Sequence, residues 1–121
     1  MAEAAPILRL RVVFPERVML GPGKADLLAL IGETGSISAA GRSMQMSYKR
    51  AWLLVETMNT AFAAPLVEST RGGPKGGGAR LTELGMQVLA TYRALENKAA
   101  HAGAEEIAAL ESMLRDMSEG K

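Results

Sequence analysis

The apolar and polar positions at the start of the chain alternate with the period of a β-strand. Within residues 7–15, apolar side chains occupy the even positions from Leu8 to Val12, and two arginines occupy the odd positions between them. A period of two is typical of a half-buried strand, and Pro15 ends it because proline cannot donate a backbone hydrogen bond. The pattern therefore predicts a single strand over residues 7–15.

The spacing of the apolar residues then changes to that of helices. The first predicted helix opens at Pro22 and closes at Gly35, and its leucines form an apolar stripe. A short second helix begins at a serine that can cap its N-terminus, either Ser36 or Ser38, and ends near Met44. Both serines are capping candidates first and candidates for a phosphate contact second.

A third helix is predicted from Ser47, another capping candidate, to about Ala61. Its core face consists of apolar residues at helical spacing, namely Ala51, Leu54, Val55, Met58 and Phe62. Its outer face is cationic, aromatic and aliphatic in character and consists of Lys49, Trp52, Leu53 and Glu56, flanked by Tyr48 and Arg50. We expect this helix to bury the first face and expose the second.

Residues 66–82 predict two short strands joined by a glycine-rich loop, because five glycines and a proline cannot form a core element. The loop is expected to hold Arg71, Lys75 and Arg80 in solvent. From Thr82, an N-cap candidate, a long helix begins, and Gly103 is expected to interrupt it.

The helical segment after Thr82 carries an apolar seam with glutamates at the outer positions. Such a seam requires a partner, so we expect residues 82–121 to join two subunits, with folding back onto their own domain as the alternative. The predicted organisation is a DNA-binding domain over residues 1–81 followed by a helical dimerisation segment over residues 82–121.

Composition narrows the function classes. The 121 residues contain no cysteine and one histidine, His101, which excludes a thiolate or histidine-cluster metal site. We find no signal peptide and no apolar run of about 20 residues, the length that spans a bilayer. Residues 41–80 carry six Lys or Arg against two Asp or Glu, although the net charge is only +1. A local basic region suits a specific polyanion contact, while chance clustering explains the charge alone equally well.

The order strand, helix, short helix, turn, exposed helix, hairpin and helix predicts a winged helix-turn-helix. The fold class is mainly α with a small β-hairpin, and the long C-terminal helix serves dimerisation. In such a fold the third helix enters the major groove and the hairpin, or wing, contacts the adjacent backbone. No nucleophile has a histidine base and the GPGKAD segment departs from a P-loop, so we expect no enzyme activity.

Several segments resemble the DNA-binding half of the ModE family, the molybdate-responsive bacterial transcription regulators. They are GSISAAGRSMQMSYKRAW at 35–52, Met58–Asn59, LVE at 66–68 and RGGPKGGGARLTELG at 71–85. The resemblance implies a dimeric winged helix-turn-helix, with Ser47, Tyr48, Lys49 and Arg50 at the groove end of the recognition helix and the wing between Arg71 and Arg80. A weaker SISAA…MS…LT skeleton is shared with LysR-type regulators.

The family binds its oxyanion in C-terminal β-domains, and nothing strand-like follows residue 82 here. We therefore expect no cofactor and no oxyanion site within this chain, which then responds through a partner or is constitutive. Direct oxyanion sensing at the dimer seam is a further alternative.

The expected function is a cytoplasmic, homodimeric regulator of the ModE type, linked to molybdenum metabolism or transport, that binds a palindromic operator in duplex DNA. The competing hypothesis is a winged helix that binds another protein. The candidate DNA-binding residues are Ser36, Ser38, Ser47, Tyr48, Lys49, Arg50, Leu53, Arg71, Lys75 and Arg80.

Two aromatic residues and one acid of the third helix have less certain roles. Trp52 lies at the border between the two faces, where we expect it to pack beneath a neighbouring element rather than stack on DNA. Tyr48 lies nearer the core stripe, although its hydroxyl can reach a phosphate. Glu56 is expected to lie beyond the groove or to pair with a basic residue.

Overall fold

The computed structural model describes residues 5–70 and 78–115. Its helices are α1 (Pro22–Thr34), α2 (Ile37–Ser43), α3 (Tyr48–Ala61), α4 (Glu83–Ala102) and α5 (Ala104–Ser112). Its strands are β1 (Val12–Val13), β2 (Met19–Leu20), β3 (Val67–Thr70) and β4 (Gly78–Leu81), which form two separate antiparallel pairs. This mainly helical order with a hairpin between α3 and α4 is that of a winged helix-turn-helix, as the sequence predicted.

The N-terminal strand is much shorter than predicted and has a partner that the sequence analysis missed. Only two residues form β1, and they pair with β2, so that Val12 lies opposite Leu20. A tight turn separates the strands, in which Glu16 and Arg17 both adopt positive φ angles, near 64° and 69°. This local hairpin limits the ladder to two residue pairs. The predicted alternation of burial is nevertheless present, with half-buried leucines between exposed arginines.

Helix boundaries agree with the prediction because short-range capping bonds fix them. The Ser36 hydroxyl accepts a hydrogen bond from the amide of Ala39 at 2.9 Å, which selects Ser36 over Ser38 as the cap of α2. The Ser47 hydroxyl likewise accepts from the amide of Arg50 at 3.1 Å. Side-chain oxygens at these positions satisfy amides that have no partner inside the helix.

The hydrophobic core is formed by α1, α2, α3 and the β3–β4 hairpin, with α4 packed against it. Its buried side chains are Leu27, Leu28, Ile31, Ala40, Ala51, Val55, Met58, Leu66, Val67 and Ala79. The predicted core faces of α1 and α3 are therefore confirmed. Among the described residues, no helix combines the length and the apolar character needed to cross a bilayer.

Helix α4 is tied to the N-terminal part of the chain by two polar contacts. The Tyr92 hydroxyl donates to the carbonyl of Leu10 at 2.7 Å, and Arg93 binds the carboxylate of Asp26 at 2.8 Å and that of Glu96 at 3.0 Å. Burial, followed by the nearby Glu96 carboxylate, raises the pKa of Tyr92. The hydrogen bond to Asp26 is the main reason that the pKa of Arg93 is raised. These contacts fix one face of α4 on its own domain.

Helix α5 differs from α4 because none of its residues is buried. The break between the two helices occurs at Gly103, as predicted. Leu110, Met113 and Leu114 are all exposed at this end of the described chain.

The junction between the hairpin and α4 requires glycine at position 85, where an added Cβ would overlap the carbonyl oxygen of Leu66. We expect Gly85→Ala to lower the free energy of unfolding by about 1–3 kcal/mol, because backbone atoms must move to admit the methyl group. Urea denaturation measures this change. Gly32→Ala is the matched control, since its Cβ would make only ordinary contacts with Leu81. Equal stability of the two variants would contradict the close approach of Gly85 to the backbone of Leu66.

Candidate nucleic-acid interface

Helix α3 divides sharply into a buried face and an exposed face. Ala51, Val55 and Met58 are buried in the core. On the outer surface, Leu53 is 50% exposed and Lys49 is also exposed. The sequence-predicted outer face is therefore confirmed for these two residues. The helix presents a mixed cationic and aliphatic surface to solvent from its first two turns.

Two serines of the candidate site are engaged in local hydrogen bonds. Ser36 caps α2, as described above. Ser38 lies inside α2 rather than at its cap, and its hydroxyl oxygen accepts a hydrogen bond from Nη1 of Arg42 at 2.9 Å, one turn along the helix. Each hydroxyl retains a hydrogen that can be donated to an anion.

Trp52 is more exposed than a residue packed beneath a neighbouring element, which corrects that prediction, whereas Tyr48 is exposed as a phosphate contact requires. Trp52 is 42% exposed and Tyr48 is 57% exposed. Trp52 follows the buried Ala51 by one residue and is therefore rotated away from the centre of the core face. Ser69 and Gly78 of the hairpin line the same depression as its ring.

The two aromatic side chains line a polar depression of about 330 Å³ between the start of α2 and the hairpin. Apart from Ile37, its other lining residues are small or hydroxylated and are Ser36, Ser38, Ser69, Thr70, Gly78 and Ala79. The hairpin thus lies on the Tyr48 and Trp52 side of α3, and the serines of α2 lie in the same depression.

The hairpin is held against α3 by Asn59, a residue to which sequence reasoning assigned no role. Its Oδ1 accepts hydrogen bonds from the amides of Leu66 at 2.8 Å and Val67 at 3.1 Å, and its Nδ2 donates to the carbonyl of Val67 at 3.0 Å. One side chain therefore satisfies three backbone groups at the start of β3. The signal was an amide residue next to the core stripe, whose partners eight residues away are not visible in sequence.

The wing cations are only partly described. Arg80 lies on β4 opposite Glu68 of β3, and its Nε binds Oε2 of Glu68 at 2.7 Å. Arg80 is in solvent as predicted, but a carboxylate offsets its charge. Arg71 and Lys75 lie outside the described residues.

The other side of α3 carries cations. Ser47, Lys49, Arg50, Leu53, Leu54 and Thr57 line a shallow depression of about 230 Å³. Neither Lys49 nor Arg50 forms an ion pair with any acid in the described part of the chain. Glu56 is half-buried and pairs with no described cation, so of its two predicted alternatives only a position beyond the groove stays a prediction for the described residues. Residues 5–70 and 78–115 contain no group of acids and histidine suited to a metal ion.

The chain is similar in sequence to known proteins over part of its length. No family model matches the chain. The chain is 51% identical over 77 residues to the molybdenum-pterin-binding protein MopB of Rhodobacter capsulatus, a match covering 64% of this chain and 28% of that protein. It is 36% identical over 93 residues to the transcriptional regulator ModE of Haemophilus influenzae, covering 77% and 36% respectively.

A third relative is the DNA-binding transcriptional dual regulator ModE of Escherichia coli, which is 36% identical over 77 residues, 64% of this chain and 29% of that protein. The chain belongs to the ModE family. It spans about a third of the length of these curated ModE-family relatives. The ModE resemblance seen in the sequence is therefore confirmed for the matched part of the chain.

We call the three hydrogen bonds of Asn59 to Leu66 and Val67 the Asn59 clamp, and its removal should lower the stability of the fold. In Asn59→Ala, the amides of Leu66 and Val67 lose their partner, and we expect the free energy of unfolding to fall by about 1–3 kcal/mol. Thr60→Ala is the control on the same helix, because the exposed Thr60 hydroxyl bonds only to carbonyls of its own helix. Chemical denaturation of both variants checks this, and an Asn59 effect no larger than that of Thr60 would exclude the clamp.

Proposed function

We propose that the chain is the DNA-binding part of a transcription regulator of the ModE type, with α3 as the recognition helix in the major groove. The observation that carries this proposal is the exposed surface of α3. Lys49, Arg50 and Leu53 project from a helix whose opposite face is buried, and the two cations have no acidic partner among the described residues. Such a surface is suited to base edges and phosphates together.

Within this proposal the residues have different tasks. Lys49 and Arg50 bind guanine edges or phosphates, because cationic side chains donate to both. Leu53 contacts a thymine methyl group through apolar packing. The hydroxyl of Tyr48 donates to a backbone phosphate on the side of the hairpin, where Ser36 and Ser38 also lie. The first turn of α3, capped by Ser47, favours a nearby phosphate through its helix dipole.

The biological setting follows from the relatives. Their names link them to transcription regulation and to molybdenum, so we propose that this chain acts in molybdenum-dependent regulation in the cytoplasm. The proposal assigns no oxyanion ligand to the described residues. DNA binding of this kind needs no catalytic chemistry, and the three relatives reported above are named as regulators or binding proteins.

We further propose that two copies bind a palindromic operator. Support comes from exposed apolar surface at the C-terminal end, where α5 buries none of its residues. A second apolar region of about 560 Å³ lies between the β1–β2 hairpin and α4, lined by residues that include Phe14, Val88 and Leu95. Apolar patches of this kind mark association surfaces. A dimer would place two α3 helices in successive major grooves, about 34 Å apart.

The DNA proposal is tested on a duplex selected from a random library by the wild-type chain. We expect Lys49→Ala and Arg50→Ala each to weaken binding by about 1–3 kcal/mol, roughly 5- to 150-fold in Kd. Fluorescence anisotropy at several salt concentrations measures the change. Lys98→Ala, which removes an exposed cation from α4, is the charge-matched control.

Two results would oppose the DNA proposal. Affinity that is unaffected by Lys49→Ala and Arg50→Ala would place the DNA surface elsewhere. Weak wild-type binding to every duplex, insensitive to salt, would favour the competing hypothesis that α3 and the hairpin bind a protein.

The dimer proposal predicts that charges on the apolar side of α5 separate the subunits. We expect the double variant Leu110→Lys and Leu114→Lys to sediment as a monomer where the wild type sediments as a dimer, because two ammonium groups would have to be buried. Ala109→Lys is the control, because it adds an exposed charge to α5 without removing either leucine. Folding should be unaffected, since α5 contributes nothing to the core. A monomeric wild type would refute the proposal.

A further inference from the structure

A second cationic depression lies beside α3 on the side of Arg50. It has a volume of about 320 Å³ and is lined by Arg11, Met19, Gly21, Gly23, Lys24, Met46, Arg50 and Leu54. Of its three cations, the sequence analysis assigned only Arg50 to DNA. We call this surface the basic flank and define it by Arg11, Lys24 and Arg50.

The three cations come from separate parts of the chain, and only the tertiary structure brings them to one surface. Arg11 directly precedes β1, Lys24 belongs to the first turn of α1, and Arg50 belongs to the first turn of α3. No carboxylate lines the depression within the described residues, and none of the three cations forms an ion pair there. A concave surface lined by one sign of charge concentrates ions of the opposite sign.

The cations of the basic flank remain available to an external anion. Lys24 donates one hydrogen bond from Nζ to the carbonyl of Met19 at 3.0 Å, which orients the ammonium group and leaves two donors. Arg50 uses its backbone amide for the Ser47 cap, so its guanidinium group is not consumed by that bond. Gly21 and Gly23 add no side chains that would block an approaching backbone.

The basic flank is continuous with the outer surface of α3. Arg50 and Leu54 line both this depression and the neighbouring one that contains Lys49 and Leu53. We propose that the DNA-contact surface extends from α3 over the basic flank, where Arg11 and Lys24 bind backbone phosphates outside the groove that α3 reads. The inference rests on the proposed function and names additional contact residues for it.

The occupant is a phosphodiester backbone rather than base edges. The hairpin lies on the Tyr48 and Trp52 side of α3, whereas the basic flank lies on the Arg50 side. A helix seated in a groove has a phosphate backbone along each side, so the two sides of α3 would each meet one. Phosphate contacts position the protein without reading sequence, and they make affinity depend on salt.

The test compares the double variant Arg11→Gln and Lys24→Gln with the double variant Lys98→Gln and Arg115→Gln. Both remove two exposed or half-buried cations and retain uncharged polar side chains, so net charge is matched. We expect the flank variant to bind more weakly, by a similar factor, to the selected duplex and to an unrelated duplex. The slope of log affinity against log salt should fall by about one for each lost phosphate contact. Thermal melting checks that both variants are folded.

Three results would overturn the inference. The flank variant binding with the control's affinity and salt slope would remove Arg11 and Lys24 from the interface, and the proposed function would stand if Lys49→Ala still weakened binding. A loss confined to the selected duplex would indicate base reading instead. Inorganic phosphate at constant ionic strength displacing DNA from wild type but not from the flank variant would identify a site for a small free anion.

Ethylation interference gives an independent readout of position. Ethylation neutralises individual phosphates, and those contacted by the basic flank should interfere with wild-type binding but not with binding of the flank variant. We expect these phosphates to flank the base pairs at which Lys49→Ala changes sequence preference. An interference pattern identical in the two proteins would contradict the assignment.

Discussion

The orientation of α3 depends on a close approach between α2 and α3 at Gly41 and Ala51. A Cβ at position 41 would lie 3.0 Å from the Cβ of Ala51, and Ala51 is fully buried. The turn that follows is closed by the amide of Met46, which donates to the carbonyl of Gly41 at 3.0 Å, and it places Gln45 at a φ of 60°. A larger side chain at position 41 or at position 51 would separate α2 from α3 and tilt the outer surface of α3.

The hairpin is fixed to the same framework by buried apolar side chains and by a set of hydrogen bonds. Asn59 holds the start of β3, and Thr82 holds the end of β4 through its amide to the carbonyl of Leu66 at 2.9 Å and its hydroxyl to that of Pro65 at 2.7 Å. At the other end, the amide of Ala79 donates to the carbonyl of Gly35 at 2.9 Å. The apolar core holds the hairpin beside α3, and these polar groups, each costly to leave unpaired, fix its ends.

Short-range signals account for what the sequence predicted correctly. Ser36, Ser47 and Thr82 cap helices through bonds that span three residues, so their roles can be read from local sequence. The exposure of Trp52 could not be read in this way, because it depends on how the hairpin lies beside α3 in the folded chain. The basic flank was missed for the same reason. Its cations lie at positions 11, 24 and 50, and only the folded chain brings them to one depression.

The ion pairs of the described residues differ in how costly they are to break. Arg93 binds two carboxylates and is half-buried, so releasing it would cost contacts that hold α4 on the domain. Arg80 binds Glu68 at an exposed site, where such a pair contributes only about 0–1 kcal/mol and can exchange its carboxylate for a phosphate at little cost. Lys49 and Arg50 form no ion pair with an acid among the described residues. Within the described residues, the ion pairs lie on the hairpin, on α4 and between α4 and α1, so the DNA contact proposed for α3 requires no ion pair on that helix to break.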